Sequence, residues 1–291
     1  MEKGERKPAW FKVKIPVNKN FFLVNKTIKD NKLTTVCQEA KCPNVSQCWS
    51  NKTATFMILG NICTRDCKFC AVKKGKPNNL NPEEPVSVAQ AVNLLEIKHV
   101  IITSVTRDDL PDGGASVFSR TIRAIRRNNP QVKIEVLIPD FNGISESLKK
   151  ILETNPDILN HNLETVFSLY PKINRPPYFY QRSLEILKES RKRGMMTKSG
   201  IMVGLGESKE EIVETLKDLK KVGCNIVTIG QYLQPTKAHL PVERYYHPWE
   251  FEDLREIGMR MDFDWVESGP LVRSSYQADN AFRQARIYIS L

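Results

Sequence analysis

The sequence predicts an α/β fold, a partial (βα)6 barrel with N- and C-terminal extensions, from three observations. Six strand-like apolar runs recur along the chain, helical patterns separate them, and 291 residues at 41% hydrophobic suffice to bury one large core. The strand runs lie at 53–59, 99–103, 133–138, 158–162, 197–203 and 226–230. Between them, 86–97, 116–128, 145–153, 182–193 and 209–222 carry apolar residues at helical spacing. The clearest local signal is Ser208 with Glu211 three residues later, a capping box opening a helix whose Ile212, Leu216 and Leu219 share one face until Gly223. Alternating strands and helices imply a parallel sheet with right-handed crossovers, so functional side chains are expected at the C-terminal ends of strands. Residues 1–52 form an N-terminal extension, 53–230 the barrel, and 231–291 a C-terminal extension with helices expected at 249–261 and after Tyr276.

No apolar run approaches the roughly 18 residues a membrane span needs, and MEKGERKPAWFKVK has no apolar stretch behind its charges. Glu2, Glu5 and the lack of serine before Ser46 are poor organelle-targeting chemistry, so a cytoplasmic location is expected. Lys plus Arg number 44 against 33 Asp plus Glu, a net charge of +11 that attracts a negative partner or simply keeps the protein soluble. In a reducing compartment the seven cysteines read as metal ligands or buried thiols rather than disulfides.

Cys63, Cys67 and Cys70, in CTRDCKFC, follow the first strand at C-x3-C-x2-C spacing. Structural zinc sites close with four ligands and no histidine lies near this triplet, whereas three cysteines on an iron-sulfur cubane leave one iron open to a non-protein ligand. A second triplet, Cys37, Cys42 and Cys48, reads C-x4-C-x5-C upstream of the barrel and follows the same three-ligand logic. Cys224 belongs to neither and reads as a core thiol. None of His99, His161, His239 and His247 has ligand spacing, so none is assigned a metal.

The C-x3-C-x2-C loop after the first strand of a βα array resembles the radical S-adenosylmethionine (SAM) superfamily, which implies a TIM-like partial barrel. There the open iron chelates SAM, and an electron from the cluster cleaves it to a 5′-deoxyadenosyl radical. The two triplets together with RSSY at Arg273 to Tyr276 closely resemble the lipoyl synthase family, from about Val36 to Tyr276. That resemblance implies two [4Fe-4S] clusters, SAM, and insertion of two sulfur atoms at C6 and C8 of an octanoyl chain, with the auxiliary cluster as sulfur donor. It implies that Ser275 completes the auxiliary cluster; chemistry alone would read a serine pair before a helix as a cap.

In TSVTRDDLPDGGA, after the second strand, the resemblance makes Thr103 and Ser104 candidate contacts for the SAM amino group. In HNLET it does the same for Asn162 and Glu164 towards the ribose or methionyl part, and it offers Arg182 to the carboxylate. The glycines of GIMVGLGES resemble a segment near adenine. The implied partner is an octanoylated lipoyl carrier, a lipoyl domain or glycine-cleavage H protein; such domains are commonly acidic, which suits the basic balance. A ferredoxin or flavodoxin is the implied electron donor. The alternative is a radical SAM methylthiotransferase acting on tRNA, but no RNA-binding module follows residue 230, and nucleic acid is not expected. A pure electron carrier would need four strong ligands per cluster.

Overall fold

A computed structural model describes residues 7–13 and 18–289, with side chains to 286. Three short helices come first, α1 (Lys19–Asp30), α2 (Val36–Glu39) and α3 (Val45–Ser50). The first strand, β1 (Thr55–Ile58), leads to a small parallel pair, β2 (Ile62–Cys63) and β3 (Lys73–Lys74), which brackets the C-x3-C-x2-C loop. Alternation then runs through α4 (Glu84–Leu94), β4 (His99–Ser104), α5 (Ala115–Asn128), β5 (Lys133–Leu137), α6 (Ser145–Leu152) and β6 (Ile158–Asn160). It continues with α7 (Tyr178–Lys192), β7 (Met196–Val203), α8 (Lys209–Lys221), β8 (Ile226–Gln231), α9 (Pro248–Arg260), β9 (Trp265–Gly269) and α10 (Ala278–Ile289).

All six expected strands are present, in the order β1-β4-β5-β6-β7-β8, and every neighbouring pair is parallel. The sheet then continues past residue 230. The segment Trp265–Gly269 adds a seventh parallel strand, with Ile226 opposite Trp265 and Gly230 opposite Gly269. With β1 and β9 as the two edges the barrel stays open on one side.

The expected helices form because their apolar stripes have a sheet face to cover. In α8, Ser208 Oγ accepts from Glu211 N at 3.2 Å while Glu211 Oε2 accepts from Ser208 N at 2.8 Å, a reciprocal cap of the kind that contributes about 1 kcal/mol. Its Ile212, Leu216 and Leu219 are fully buried against Val203 and Val227. At the N-terminal end of the barrel α10 forms a floor, where Ala281, Phe282 and Ala285 pack on Ile158 and Ile226.

Above that floor the interior is charged. Glu135 and Lys198 are both wholly buried, 3.0 Å apart, with Asn160 Nδ2 donating to Glu135 at 2.9 Å and His99 Nε2 at 3.5 Å. Burial opposes ionisation of Glu135, but Lys198 and His99 outweigh it and hold the carboxyl at about 2. Losing either partner of Lys198–Glu135 leaves a bare buried charge, which costs several kcal/mol.

The open side of the barrel is filled by the chain after β9. A Cβ built on Gly230 would overlap the carbonyl oxygen of Val272, so glycine is what lets residues 270–276 lie directly against β8.

Candidate active site between two thiol triplets

Cys63 closes β2, and the loop that follows is tied down by groups far away in sequence. Lys68 N donates to Ile173 O at 3.1 Å, Asn174 Nδ2 to Asp66 O at 2.7 Å, and Leu240 N to Lys68 O at 3.3 Å. His239 Nε2 lies 3.0 Å from Cys70 O, and Phe69 packs against Ile173, Leu205 and Tyr232. Within the loop Cys70 N donates to Cys67 O at 3.1 Å, and Arg175 Nε donates to Cys67 Sγ at 3.4 Å. Burial pushes the Cys70 thiol up to about 12, and the nearby Cys67, Glu164 and Cys63 push the same way.

The second triplet is spread over α2, the turn after it and α3. Cys42 N donates to Cys37 O at 3.0 Å, and Thr53 N to Cys48 O at 2.9 Å. All three thiols line one cavity together with Arg273, Ser275 and Tyr276. Asn44 Nδ2 fastens this side to the other, donating to Leu271 O at 2.7 Å. Burial pushes Cys48 up to about 12, with Cys37 and Cys42 adding to it, while Arg273 counteracts the rise at Cys42. Ser275 stands two residues before Gln277, which precedes the first residue of α10, so it is not in the capping position that chemistry alone suggested.

Among the described residues no three His, Cys, Asp or Glu side chains converge tightly enough to hold a single ion. Each triplet supplies three thiols, one short of the four ligands that close a structural zinc site and the number that leaves one iron of a cubane open. Cys224 lies in the core among Leu219, Val227 and Val266, its Sγ 3.4 Å from Ile226 O.

A further cavity opens at the C-terminal ends of the strands, where a βα sheet leaves its crevice. Thr103 and Ser104 line it from β4, and Asn162 and Glu164 from the segment after β6. Thr103 Oγ1 donates to Leu137 O at 3.0 Å, keeping its lone pairs available. Ser104 Oγ and Asn162 Oδ1 are buried with no partner, a cost of about 1–3 kcal/mol each unless a ligand satisfies them. A Cβ on Gly200 would come within 3.0 Å of Asn162 Oδ1, so that glycine preserves room for the amide. Unpaired polar atoms beside a cysteine-rich loop fit a polar small molecule such as SAM.

Arg182 does not line this cavity. It pairs with Asp140 at 2.9 Å and stacks over Tyr178 and Phe179 at 5.2 and 5.0 Å from their ring centres. Three charges of the 103–115 loop are taken up in ion pairs: Arg107 pairs with Asp109 at 2.8 Å, and Asp108 takes Arg65, which lines the cavity, at 2.7 Å. Gly204 serves the protein itself, since a Cβ there would overlap the Gln231 amide.

Four titratable lining residues escaped sequence reasoning: Arg65, Asp140, His161 and Arg175. Arg65 sits inside the CTRDC motif, and Asp140 and His161 stand just beyond strands, where the strand-end rule would have found them. Arg175 follows no strand and had no local signal. Arg65 and Arg182 outweigh burial to hold Asp140 at about 2. Burial pulls His161 down to about 4, its ring nitrogens 2.8 Å from Ile138 O and 2.9 Å from Ser183 Oγ.

The cavities adjoin. Asn162 Nδ2, in the strand-end crevice, donates to Ser274 Oγ at 3.4 Å, next door to Ser275 in the thiol cavity.

The radical SAM superfamily model matches residues 57–219, and the model of the N-terminal domain of lipoyl synthase matches residues 1–42. The chain is 54% identical over 287 residues to the lipoyl synthase of Geobacillus sp. (strain WCH70), covering 98% of this chain and 96% of that one. With the lipoyl synthase of Bacillus subtilis (strain 168) the identity is 52% over 283 residues, covering 96% and 95%. Among solved structures, methylornithine synthase (PylB) has a TM-score of 0.53 at 15% identity, covering 79% of this chain and 80% of that one. The SAM-bound SuiB of Streptococcus suis has a TM-score of 0.55 at 12% identity, covering 73% and 50%. At such low identity these two share the fold alone.

Proposed function

The chain belongs to the lipoyl synthase family of the radical SAM superfamily, and from that premise we propose how its residues divide the work. It is a radical SAM enzyme that inserts sulfur in lipoate biosynthesis. The relatives compared carry the lipoyl synthase name, and tRNA methylthiolation has no support beside them. C6 and C8 of an octanoyl chain are saturated carbons with neither an acidic proton nor a leaving group, so acid-base side chains have nothing to act on. When bound, the clusters and SAM supply a 5′-deoxyadenosyl radical and sulfide, chemistry that side chains cannot generate.

Cys63, Cys67 and Cys70 hold the cluster that leaves one iron for SAM. Thr103 and Ser104 accept from the SAM amino group, and Asn162 and Glu164 bind the ribose or methionyl part. Arg182 takes the carboxylate by exchanging Asp140 for it. Cys37, Cys42, Cys48 and Ser275 hold the auxiliary cluster, the first three from the N-terminal extension and the last from the C-terminal one. The hydroxyl of Ser275 is the weakest ligand of its set, suited to a site that must surrender sulfur. The single observation that carries this reading is the Asn162–Ser274 hydrogen bond, which makes the crevice and the thiol cavity neighbours. A carbon radical reacts with whatever is closest, so proximity and exclusion of water decide where sulfur goes.

The substrate is the octanoyl group on an acidic lipoyl carrier, a lipoyl domain or H protein, and the reductant is a ferredoxin or flavodoxin. No helix among the described residues is long and apolar enough to cross a membrane, and we place the reaction in the cytoplasm.

The test incubates reconstituted protein with SAM, a reductant and an octanoyl-lysine peptide, and reads deoxyadenosine and dithiolated peptide by mass spectrometry. Cys67→Ala abolishes both products. Cys42→Ala keeps deoxyadenosine and loses the dithiol; a normal dithiol yield from it sinks the donor role of the first triplet.

A further inference from the structure

We propose that Arg175 is a positioning residue that raises the reduction potential of the Cys63–Cys67–Cys70 centre by holding a buried positive charge against one of its thiolates. The inference rests on the cluster assignment above. Arg175 Nε donates to Cys67 Sγ at 3.4 Å, its Nη2 lies 3.6 Å from Glu164 Oε1, and its guanidinium sits 5.6 Å from the centre of the Phe69 ring. The contact is built rather than incidental. Arg175 N donates to Tyr170 O at 2.9 Å, closing a turn, and two bonds stitch that turn to the thiol loop, Lys68 N to Ile173 O and Asn174 Nδ2 to Asp66 O. The arginine side chain is only 17% exposed, so solvent screens its charge weakly. A guanidinium stays protonated in proteins, so the charge beside Cys67 is a fixed one.

One-electron reduction adds one negative charge to the centre, and the reduced flavin or iron-sulfur carrier that supplies the electron is oxidised by one electron in the same step. A cation close to a ligand sulfur in a medium of low dielectric favours the more negative state. Hydrogen bonds to the sulfurs act in the same direction and are among the levers that set cluster potentials. Glu164, paired with the same guanidinium through Nη2, opposes it. The two residues therefore shift the potential in opposite directions, which a purely structural arginine would not do.

The experiment is an EPR-monitored potentiometric titration of the full chain with both centres reconstituted, the relevant centre being the one whose signal SAM perturbs. Titrations are run without SAM, so that altered SAM binding does not contribute. Arg175→Met lowers the midpoint enough that the reduced fraction at a fixed poise falls about tenfold, about 59 mV for a one-electron couple. Arg175→Lys, a point charge without the Nε geometry, moves it less in the same direction. Glu164→Gln moves it upward. Unchanged midpoints in Arg175→Lys and Glu164→Gln overturn the inference, even where Arg175→Met takes up no iron. A SAM-perturbed signal surviving in Cys67→Ala overturns the cluster assignment itself. Its loss there, with midpoints unmoved in the arginine variants, overturns the inference alone.

Discussion

The side chain of Asn162 donates through Nδ2 to the hydroxyl of Ser274 at 3.4 Å, while its own Oδ1 stays buried and without a partner. One amide thus faces both the crevice at the strand ends and the segment that carries Ser275.

The neighbouring serines are expected to separate by role. Ser275→Ala keeps its fold and SAM cleavage, changes the Mössbauer spectrum of the auxiliary cluster and loses dithiolated product. Ser275→Cys loads iron well and turns over poorly, because a thiolate holds iron more firmly than a hydroxyl. Ser274→Ala is milder. A helix cap would instead cost about 1 kcal/mol of stability and leave product yield near normal. Wild-type yields from both Ser275 variants remove the ligand role.

Gly230→Ala is expected to push residues 270–276 off β8, since the new methyl meets the carbonyl of Val272. The cost is about 1–3 kcal/mol, typical of inserting a methyl into filled space. Urea unfolding measures that cost, and iron analysis of reconstituted protein should show incomplete loading of the Cys37, Cys42 and Cys48 site.

Acid sensitivity should begin with His161. Its folded value, pulled down to about 4 by burial, lies below the ordinary 6.5, so between those limits the unfolded chain binds a proton that the folded chain refuses. Stability is therefore lost as pH falls from 6.5 towards 4, by on the order of 3 kcal/mol, and is unaffected by this residue above that window. Glu135 and Asp140, both held at about 2, extend the loss at lower pH. Denaturant unfolding of cluster-free protein at pH 7, 6 and 5 checks the slope. His161→Gln should flatten it, and an equal slope in that variant assigns the loss elsewhere.

Carrier association should weaken with salt. Lys12, Lys19, Lys26, Lys29 and Lys32 are exposed, four of them on or just beyond α1; Lys14, in the same basic N-terminal segment, lies outside the described residues. At 0.1 M salt the screening length is about 10 Å, so encounter with an acidic carrier slows as ionic strength rises. Lys26→Glu with Lys29→Glu should lower the association rate and flatten its salt response. A wild-type rate independent of salt removes steering.

Much of this was legible in the sequence because the signals were local. Six strands and their helices follow from apolar period, and the thiol triplets from spacing. β9 was not legible: in WVESG only Val266 is buried, the pattern of an edge strand with one face half-covered. Thr103, Ser104, Asn162 and Glu164 reach the crevice because strand ends point there. Arg182 pairs with Asp140, a partner from another βα unit, and Arg175 arrives through a turn that only the folded chain juxtaposes with Cys67. Local pattern carries no information about such meetings.

The bond from Asn44 to Leu271 spans 227 residues. During vectorial synthesis the three thiols beside Asn44 are made some 225 residues before Arg273, with Ser275 and the floor helix later still. The cavity they line is therefore enclosed only once residues 271–276 have been made. Until then its cysteines are an open mouth awaiting a lid, and anything delivered to them on the nascent chain has a time window set by the length of chain between its two walls.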